Sequence, residues 1–511
     1  MRGVPSRVAD ATPHRIVRPV AGRRELIAVL SLSALLIVAR SAVFLAYETF
    51  FDSDQAIVGL MAKHLAEGRA FPLFFYGQSY MLAVEAWAAA PVVFVFGPTV
   101  AALRSVLVLF NLAAAALMII ALVKGAGLRP WHALIASLFF VFAPPFTSAR
   151  LLEAMGGNIE PFVYLPLLWM LRDRPLWFGA VLAVGFLNRE FSALAVPVLM
   201  LGQVLTGDLF RPATLHRWLL AFVAFLAVLG GVRAVQPFAD AAGPGTRGVV
   251  APVAGGAIEN LTVRTRFVLT EVPERIAGFA THLLPVVMGG RRVEESFASQ
   301  GRDWMAFPLA VAAAMALVRI GVLVASARRG SSSALPTALR AASFAWYLLA
   351  TGLLAALVAI VTRPLDNLPV RYLLLAVYIP VGLVGVWLSL EPRAFARRGL
   401  IAAVLSWGLF SGIDHAIEIR RYAQATQPDA IRVLADALVA RGVRVAEAPY
   451  WRAYKLTYLT GERVKFASSD VVRIDEYQRL AQQEPGLLRL QDSPCPDGER
   501  IASWYLCRTP Q

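Results

Sequence analysis

The chain has 511 residues, 58% of them hydrophobic and only 16% charged. A soluble domain carries about a quarter charged residues, and here the apolar residues come in blocks of roughly 17 to 25, long enough to cross a hydrocarbon core, so soluble globular and disordered classes are excluded. The formal net charge of +15 is nearly all arginine, with lysine only at 63, 124, 455 and 465, and it lies in short loops between apolar blocks. It therefore reads as membrane topology, not as a nucleic-acid footprint.

In chain order, a basic tail over 1–25 with Arg2, Arg7, Arg15, Arg18, Arg23 and Arg24 is expected to stay in the cytoplasm. The first apolar run is full-length and lacks a small-x-small site, so no cleavable leader is expected. Spans are predicted at 26–46, 100–123, 131–148, 159–171, 176–187, 190–206, 217–236, 305–325, 342–361, 371–390 and 399–415. One further apolar stretch, Tyr80 to Phe96, decides the orientation. If it crosses, Lys124/Arg129, Arg172/Arg174, Arg211/Arg217, Arg328/Arg329/Arg340 and Arg393/Arg397/Arg398 all fall outside; if it lies on the outer face, all fall inside. The second choice satisfies the positive-inside rule.

The expected fold is thus an all-α polytopic membrane domain over 26–415. It has about eleven spans, a juxtamembrane or re-entrant half-helix, and two sizeable outer loops at 47–99 and 237–304. An external tail over 416–511 has soluble composition, with a helix at 428–440, a strand at 443–446 and a helix at 450–459, which reads as a small periplasmic α/β domain. The arginine-, alanine- and leucine-heavy usage suggests a GC-rich bacterial genome, and hence an inner (plasma) membrane location. Cys495 and Cys507, the two cysteines, both lie in the tail; in an oxidising compartment they are expected to form a disulfide, the alternative being two free thiols. No His or Cys spacing matches a metal site.

The cytoplasmic loops are short and basic, with no phosphate-binding loop, so chemistry is expected on the outer face. There, Phe51-Asp52-Ser53-Asp54-Gln55 precedes an amphipathic stretch in which Ile57, Met61 and Leu65 share one face, opposite Gly59, Lys63 and Glu67. That pattern fits a helix lying in the interface. The acidic residues either cap that helix or hold a general base at the bilayer surface, and the residues alone leave both readings open. His64 sits on the polar side and reads as solvated. Glu85 is a lone carboxylate in an apolar half-helix, a costly placement that points to a cavity or a partner. Glu153, Asn158 and Glu160 surround Gly156-Gly157 in the next outer loop, where a solvated loop and a second acidic site are equally consistent with the spacing.

The acidic pair ahead of an amphipathic helix, the stretch Tyr76-Gly77-Gln78-Ser79-Tyr80-Met81 leading into a half-helix that ends Phe96-Gly97, Arg371-Tyr372-Leu373-Leu374 opening a late helix, and Tyr450-Trp451-Arg452-Ala453-Tyr454 in the tail together resemble the GT-C glycosyltransferases. The resemblance is to the branch of protein O-mannosyltransferases and lipid A aminoarabinose transferases, and it covers essentially the whole chain. It implies a donor consisting of a sugar on a polyprenyl phosphate in the membrane lipid, an envelope acceptor, and an acidic general base at Asp54, with Asp52 as the fallback. Gln55 stands where relatives often have a second acid. The Lys-Pro-Pro-Leu that precedes the half-helix in aminoarabinose transferases is absent, which leaves the phosphate contact of that lysine unassigned.

On that reading the departing phosphate is met by arginine forks. Arg371 is preferred because it opens a span; Arg189, Arg363 and Arg291/Arg292 are the other outer candidates, and Arg189 has Glu190 as an alternative partner. Glu85, Glu153 and Tyr80 complete the expected substrate site. Arginines suffice for a monophosphate, so no divalent metal is expected to be obligatory. A transporter of lipid-linked sugars is the rival reading, but no internal repeat of the kind such folds carry is evident. A polymerase or ligase using pyrophosphate-linked glycans is a third.

Overall fold

The computed structural model describes residues 22–48, 50–78, 80–248, 269–290, 314, 317–318, 321–322, 334–362, 370–425, 429–496 and 498–508. Most of the span expected over 305–325, together with Arg291, Arg292 and Arg363, lies outside them. Six described helices are long and apolar enough to cross a membrane: Arg23–Ala46 (α1), Val100–Ala126, Pro212–Phe238, Ser343–Thr362, Arg371–Leu390 and Ala394–Ala423. Shorter apolar helices fill Pro130–Val141, Glu160–Leu171, Pro175–Asn188 and Glu190–Thr206, near the predicted positions. Ser53–Ala66 (α2) and the half-helix Val84–Phe96 (α3) lie between α1 and Val100–Ala126 (α4).

Proline explains the interruptions in two of the expected helices. The stretch at 131–148 stops at Val141 and restarts at Pro145, because Pro144 and Pro145 have no N–H to continue the ladder. The one at 371–390 begins as a 3₁₀ segment over Val370–Val377 before turning α-helical at Tyr378. The Pro380 ring would clash with the carbonyl four residues earlier in a regular α-helix.

Helix α4 orders the two ends of the bundle. At its start the Tyr458 hydroxyl of the tail donates to the Thr99 carbonyl at 2.9 Å; at its end the Ser343 and Ser389 hydroxyls donate to the Gly125 and Ala126 carbonyls. Its 27 residues separate these ends by about 40 Å. The basic clusters meet at the far end, where Arg217 pairs with Asp173 and Arg340 with Asp208. The first outer loop and the tail share the near end.

The tail folds as a five-stranded sheet in the order β2-β1-β3-β5-β4 (β1 Val445–Ala448, β2 Lys465–Ser468, β3 Leu488–Gln491, β4 Glu499–Ile501, β5 Trp504–Arg508). β1 pairs in parallel with β2 and β3, and β5 antiparallel with β3 and β4. The strand predicted at 443–446 sits two residues later. Cys495 and Cys507 are disulfide-bonded, with Cα atoms 6.1 Å apart, and tie the segment after β3 to β5.

This domain is clamped onto α2. Helix Tyr450–Leu459 packs along it, and Lys63, His64, Arg69 and Tyr477 converge on Glu462 at 2.5, 3.1, 2.8 and 2.9 Å. Burial by itself would raise the Glu462 carboxyl; hydrogen bonds and charge from His64 and Lys63 outweigh it and hold the carboxyl well below the usual range. The expectation of a solvated His64 is therefore corrected: its ring is fully buried, between Glu462 and the Tyr76 hydroxyl. The pattern of α2 showed a polar face correctly but not that the tail would cover it. Gly59 makes that cover possible, since a Cβ there would lie 2.4 Å from the Tyr458 ring. Gly59→Ala is expected to destabilise the docked domain by about 1–3 kcal/mol, read as a lowered Tm of the detergent-solubilised protein and faster proteolysis of the tail.

Candidate active site

The acidic loop divides into two roles that the sequence left open. Asp52 is the N-cap of α2: its carboxylate accepts from the Gln55 N–H at 3.0 Å. Ser53 donates to the Tyr450 carbonyl at 2.6 Å and accepts from the Lys455 N–H at 3.2 Å, stitching the loop to the tail. Asp54, one residue into the helix, faces the site and accepts a hydrogen bond from the Tyr450 hydroxyl. Burial, reinforced by the Asp54 charge, pushes the Asp52 carboxyl above its ordinary value. Capping thus belongs to Asp52; both carboxylates are half-buried, and Asp54 is the one held by a tail side chain.

Behind Asp52 lies Glu153, fully buried with Arg150 at 2.6 Å and Asn158 at 3.4 Å. The picture of a solvated loop at Glu153, Asn158 and Glu160 is corrected, because all three are buried. Burial raises the Glu153 carboxyl from 4.5 to about 7, with Arg150 opposing and Asp52 assisting. A raised folded-state value means the folded protein holds this proton more tightly than the unfolded chain. The stabilisation is therefore full below about 4.5 and fades as pH rises through 7. Between about pH 5 and about pH 8 the Tm of wild type is expected to fall by a component that Glu153→Gln lacks, as measured by thermal denaturation of both proteins across that range.

Glu85 lies in the first turn of α3 and is buried, with no ion pair among the described residues. Its Oε2 accepts from the Gly156 N–H at 2.8 Å, while Glu160 Oε2 accepts from the Gly157 N–H at 3.1 Å. Burial, reinforced by the neighbouring Glu160 charge, pushes the Glu85 carboxyl well above its ordinary value. The two carboxyls brace the Gly156-Gly157 turn, and Glu85 and Gly156 line a small cleft with Met61, Phe75 and Met81. Among the described residues no group of three or more His, Cys, Asp or Glu is placed to hold a metal ion.

That turn sets the position of Arg189. Gly157 has φ +107°, and a Cβ there would lie 2.6 Å from the Arg189 side chain. The Arg189 guanidinium reaches the Met81 sulfur at 3.6 Å and the Tyr372 ring at 6.0 Å, while Glu190 is exposed, so the alternative of an Arg189–Glu190 pair is not formed. Arg371 is near the same ring, 5.2 Å from its centroid, with Met155 sulfur at 3.8 Å. Thioethers are weak acceptors. Both guanidiniums are half-buried, make no ion pair among the described residues, and have a buried Nε without a partner. Tyr80 packs half-buried against the core.

The structure thus brings Asp54, Asp52, Glu153 and Arg371 together, and packs Glu85 and Arg189 against the Gly156-Gly157 turn. The charges of Asp54 and Glu153 both act on Arg371. Two members were missed. Tyr450 belongs to a tail motif noted for its family likeness, but nothing in the residues paired it with Asp54. Arg473 follows Val471-Val472 in the tail with no distinguishing signal; it donates to the Gly77 carbonyl at 3.1 Å and lies over the Phe75 and Tyr450 rings.

Neither a protein-family model nor a curated protein matches the sequence. Among solved structures, ArnT from Cupriavidus metallidurans in the apo state aligns with a TM-score of 0.55 at 11% identity, covering 95% of this chain and all of that one. The chain has the GT-C fold. An oligosaccharyltransferase from Archaeoglobus fulgidus, in complex with zinc and sulfate, also aligns, at TM-score 0.42 and 12% identity over 87% of this chain and 62% of that one. In this chain the helix after the first span packs against both the half-helix and the tail domain.

Proposed function

We propose that the protein is a glycosyltransferase of a bacterial inner membrane that moves a sugar from a polyprenyl-phosphate donor to an envelope acceptor. The observation that carries the proposal is the proximity of a half-buried carboxylate, Asp54, to a guanidinium with no ion pair among the described residues, Arg371, in a chain with the GT-C fold. Asp54 takes the proton from an acceptor hydroxyl as that oxygen attacks the anomeric carbon, and the bond to the phosphate breaks on the opposite side. A single displacement inverts the anomeric configuration. Arg371 and Arg189 meet the charge that develops on the departing phosphate. The near end of the bundle faces the periplasm, since the basic clusters gather at the other end.

Two arginines can neutralise a monophosphate, so transfer is expected to persist in excess EDTA; loss of activity restored by a divalent cation would contradict this. The functional reading itself is tested with purified protein in liposomes, given a panel of radiolabelled polyprenyl-phosphate sugars and envelope extract. Label moving onto an acceptor supports it. Label crossing the bilayer still attached to its lipid, with no acceptor product, would establish the transporter reading instead.

A further inference from the structure

The tail domain reaches into the candidate site, and its contact there has a direction. Tyr450 opens the helix Tyr450–Leu459; its hydroxyl donates to Asp54 Oδ1 and its ring packs on Trp451 and Tyr454. Its backbone is fixed on both sides, the N–H by Asp470 at 2.7 Å and the carbonyl by Ser53 at 2.6 Å. The Arg473 guanidinium lies 5.9 Å from the ring centroid and is itself anchored on the Gly77 carbonyl. The phenol therefore cannot turn away without disturbing both the tail and the first outer loop.

We propose that Tyr450 is the positioning residue of Asp54, so that the tail domain is an integral part of the catalytic centre; the inference rests on the transferase function proposed above. By occupying Oδ1, the phenol leaves Oδ2 as the atom that accepts the acceptor's proton, and it fixes the carboxylate plane toward the incoming hydroxyl. Hydrogen bonding to a carboxylate also favours its charged form, which is the form that acts as a base. Burial and the Asp54 charge both raise the Tyr450 phenol far above its ordinary value, so it stays a donor throughout the working range. Among the described residues, Asp52 at the start of the same helix and Arg371 from the membrane domain are also close enough for their charges to interact with that of Asp54. Arg150 and Glu153 stand behind Asp52, and Arg473 behind Tyr450. None of these donates to Asp54 in place of the phenol.

The test is the pH profile of kcat/KM for sugar transfer by reconstituted full-length protein. Tyr450→Phe is expected to lower kcat/KM about 10-fold and to move the acidic limb about one unit to higher pH. Tyr454→Phe serves as the control: its hydroxyl accepts from the Arg473 and Ile474 N–H groups within the tail, so it should lower Tm without moving the limb. Should Tyr450→Phe fail to fold, 3-fluorotyrosine at 450, a stronger donor of nearly the same shape, is expected to move the limb to lower pH. An unmoved limb in Tyr450→Phe, or in the fluorotyrosine protein, would overturn the positioning role while leaving the transferase reading intact. Wild type without any transfer would instead remove the functional reading and this inference with it.

Discussion

Asparagine at position 54 is expected to lower sugar transfer by about 10²- to 10⁴-fold, the range that a positioned general base contributes. The fold should survive the change, because Asp54 is not the helix cap and the amide can still accept from the Tyr450 hydroxyl. What is lost is the capacity to take a proton. Asp52→Asn provides the contrast: asparagine is as good an N-cap as aspartate, and Asp52 is turned toward the Gln55 N–H, so transfer should change far less. The comparison is made on initial rates of acceptor labelling at matched protein content. Collapse of the rate in Asp52→Asn with Asp54→Asn near wild type would assign the base to the wrong-way carboxylate and reverse this account.

The second large effect is expected at Arg371. Removing its guanidinium with Arg371→Ala should lower kcat on the order of 10²-fold, comparable to losing one donor from a preorganised anion site. A lysine at 371 should restore only part of the rate, because a point charge cannot reproduce a two-pronged fork on phosphate. The alternative is an interfacial anchor whose stem lies along apolar surface and whose charge seeks water. An anchor would leave kcat unchanged and affect folding or yield, so separating kcat from KM decides between the two. The geometry favours the anion site: the guanidinium rests on a thioether and an aromatic face and is influenced by the Asp54 and Glu153 charges.

Much of the fold was legible because hydropathy and arginine placement are local signals. Helix α4 and the half-helix α3 were found at nearly their observed limits, and the tail read as mixed α/β from its change of composition. Prolines 144, 145 and 380 marked the interruptions, yet a window averaged over hydropathy passes across them. The buried state of Glu153, Glu160 and His64 was not legible. Each is polar and lies in or near a loop, so local sequence favours solvent, and only long-range packing removes it. Glu462, which buries His64, is 398 residues away along the chain.

The site shows the same division. Asp54, Glu85 and Arg371 stood out because a charge beside or within an apolar segment is costly enough to ask for a reason. Tyr450 and Arg473 carry no such cost in a soluble tail rich in tyrosine and arginine. Their meaning comes from the docking of that tail on α2, which depends on the absent side chain of Gly59. Arg189 and Arg371, both near the Tyr372 ring, are the cations proposed for the phosphate contact that the missing lysine leaves unassigned.

The central claim, a single displacement at the outer face with Asp54 as base, is tested most directly by one stoichiometric turnover. Enzyme in excess over a radiolabelled polyprenyl-phosphate sugar of known anomeric configuration is mixed with acceptor, and both products are analysed. The account predicts one polyprenyl monophosphate released for each sugar transferred, with the anomeric configuration inverted and the reaction lost in Asp54→Asn. Retained configuration, a polyprenyl pyrophosphate product, or undiminished turnover in Asp54→Asn would contradict it.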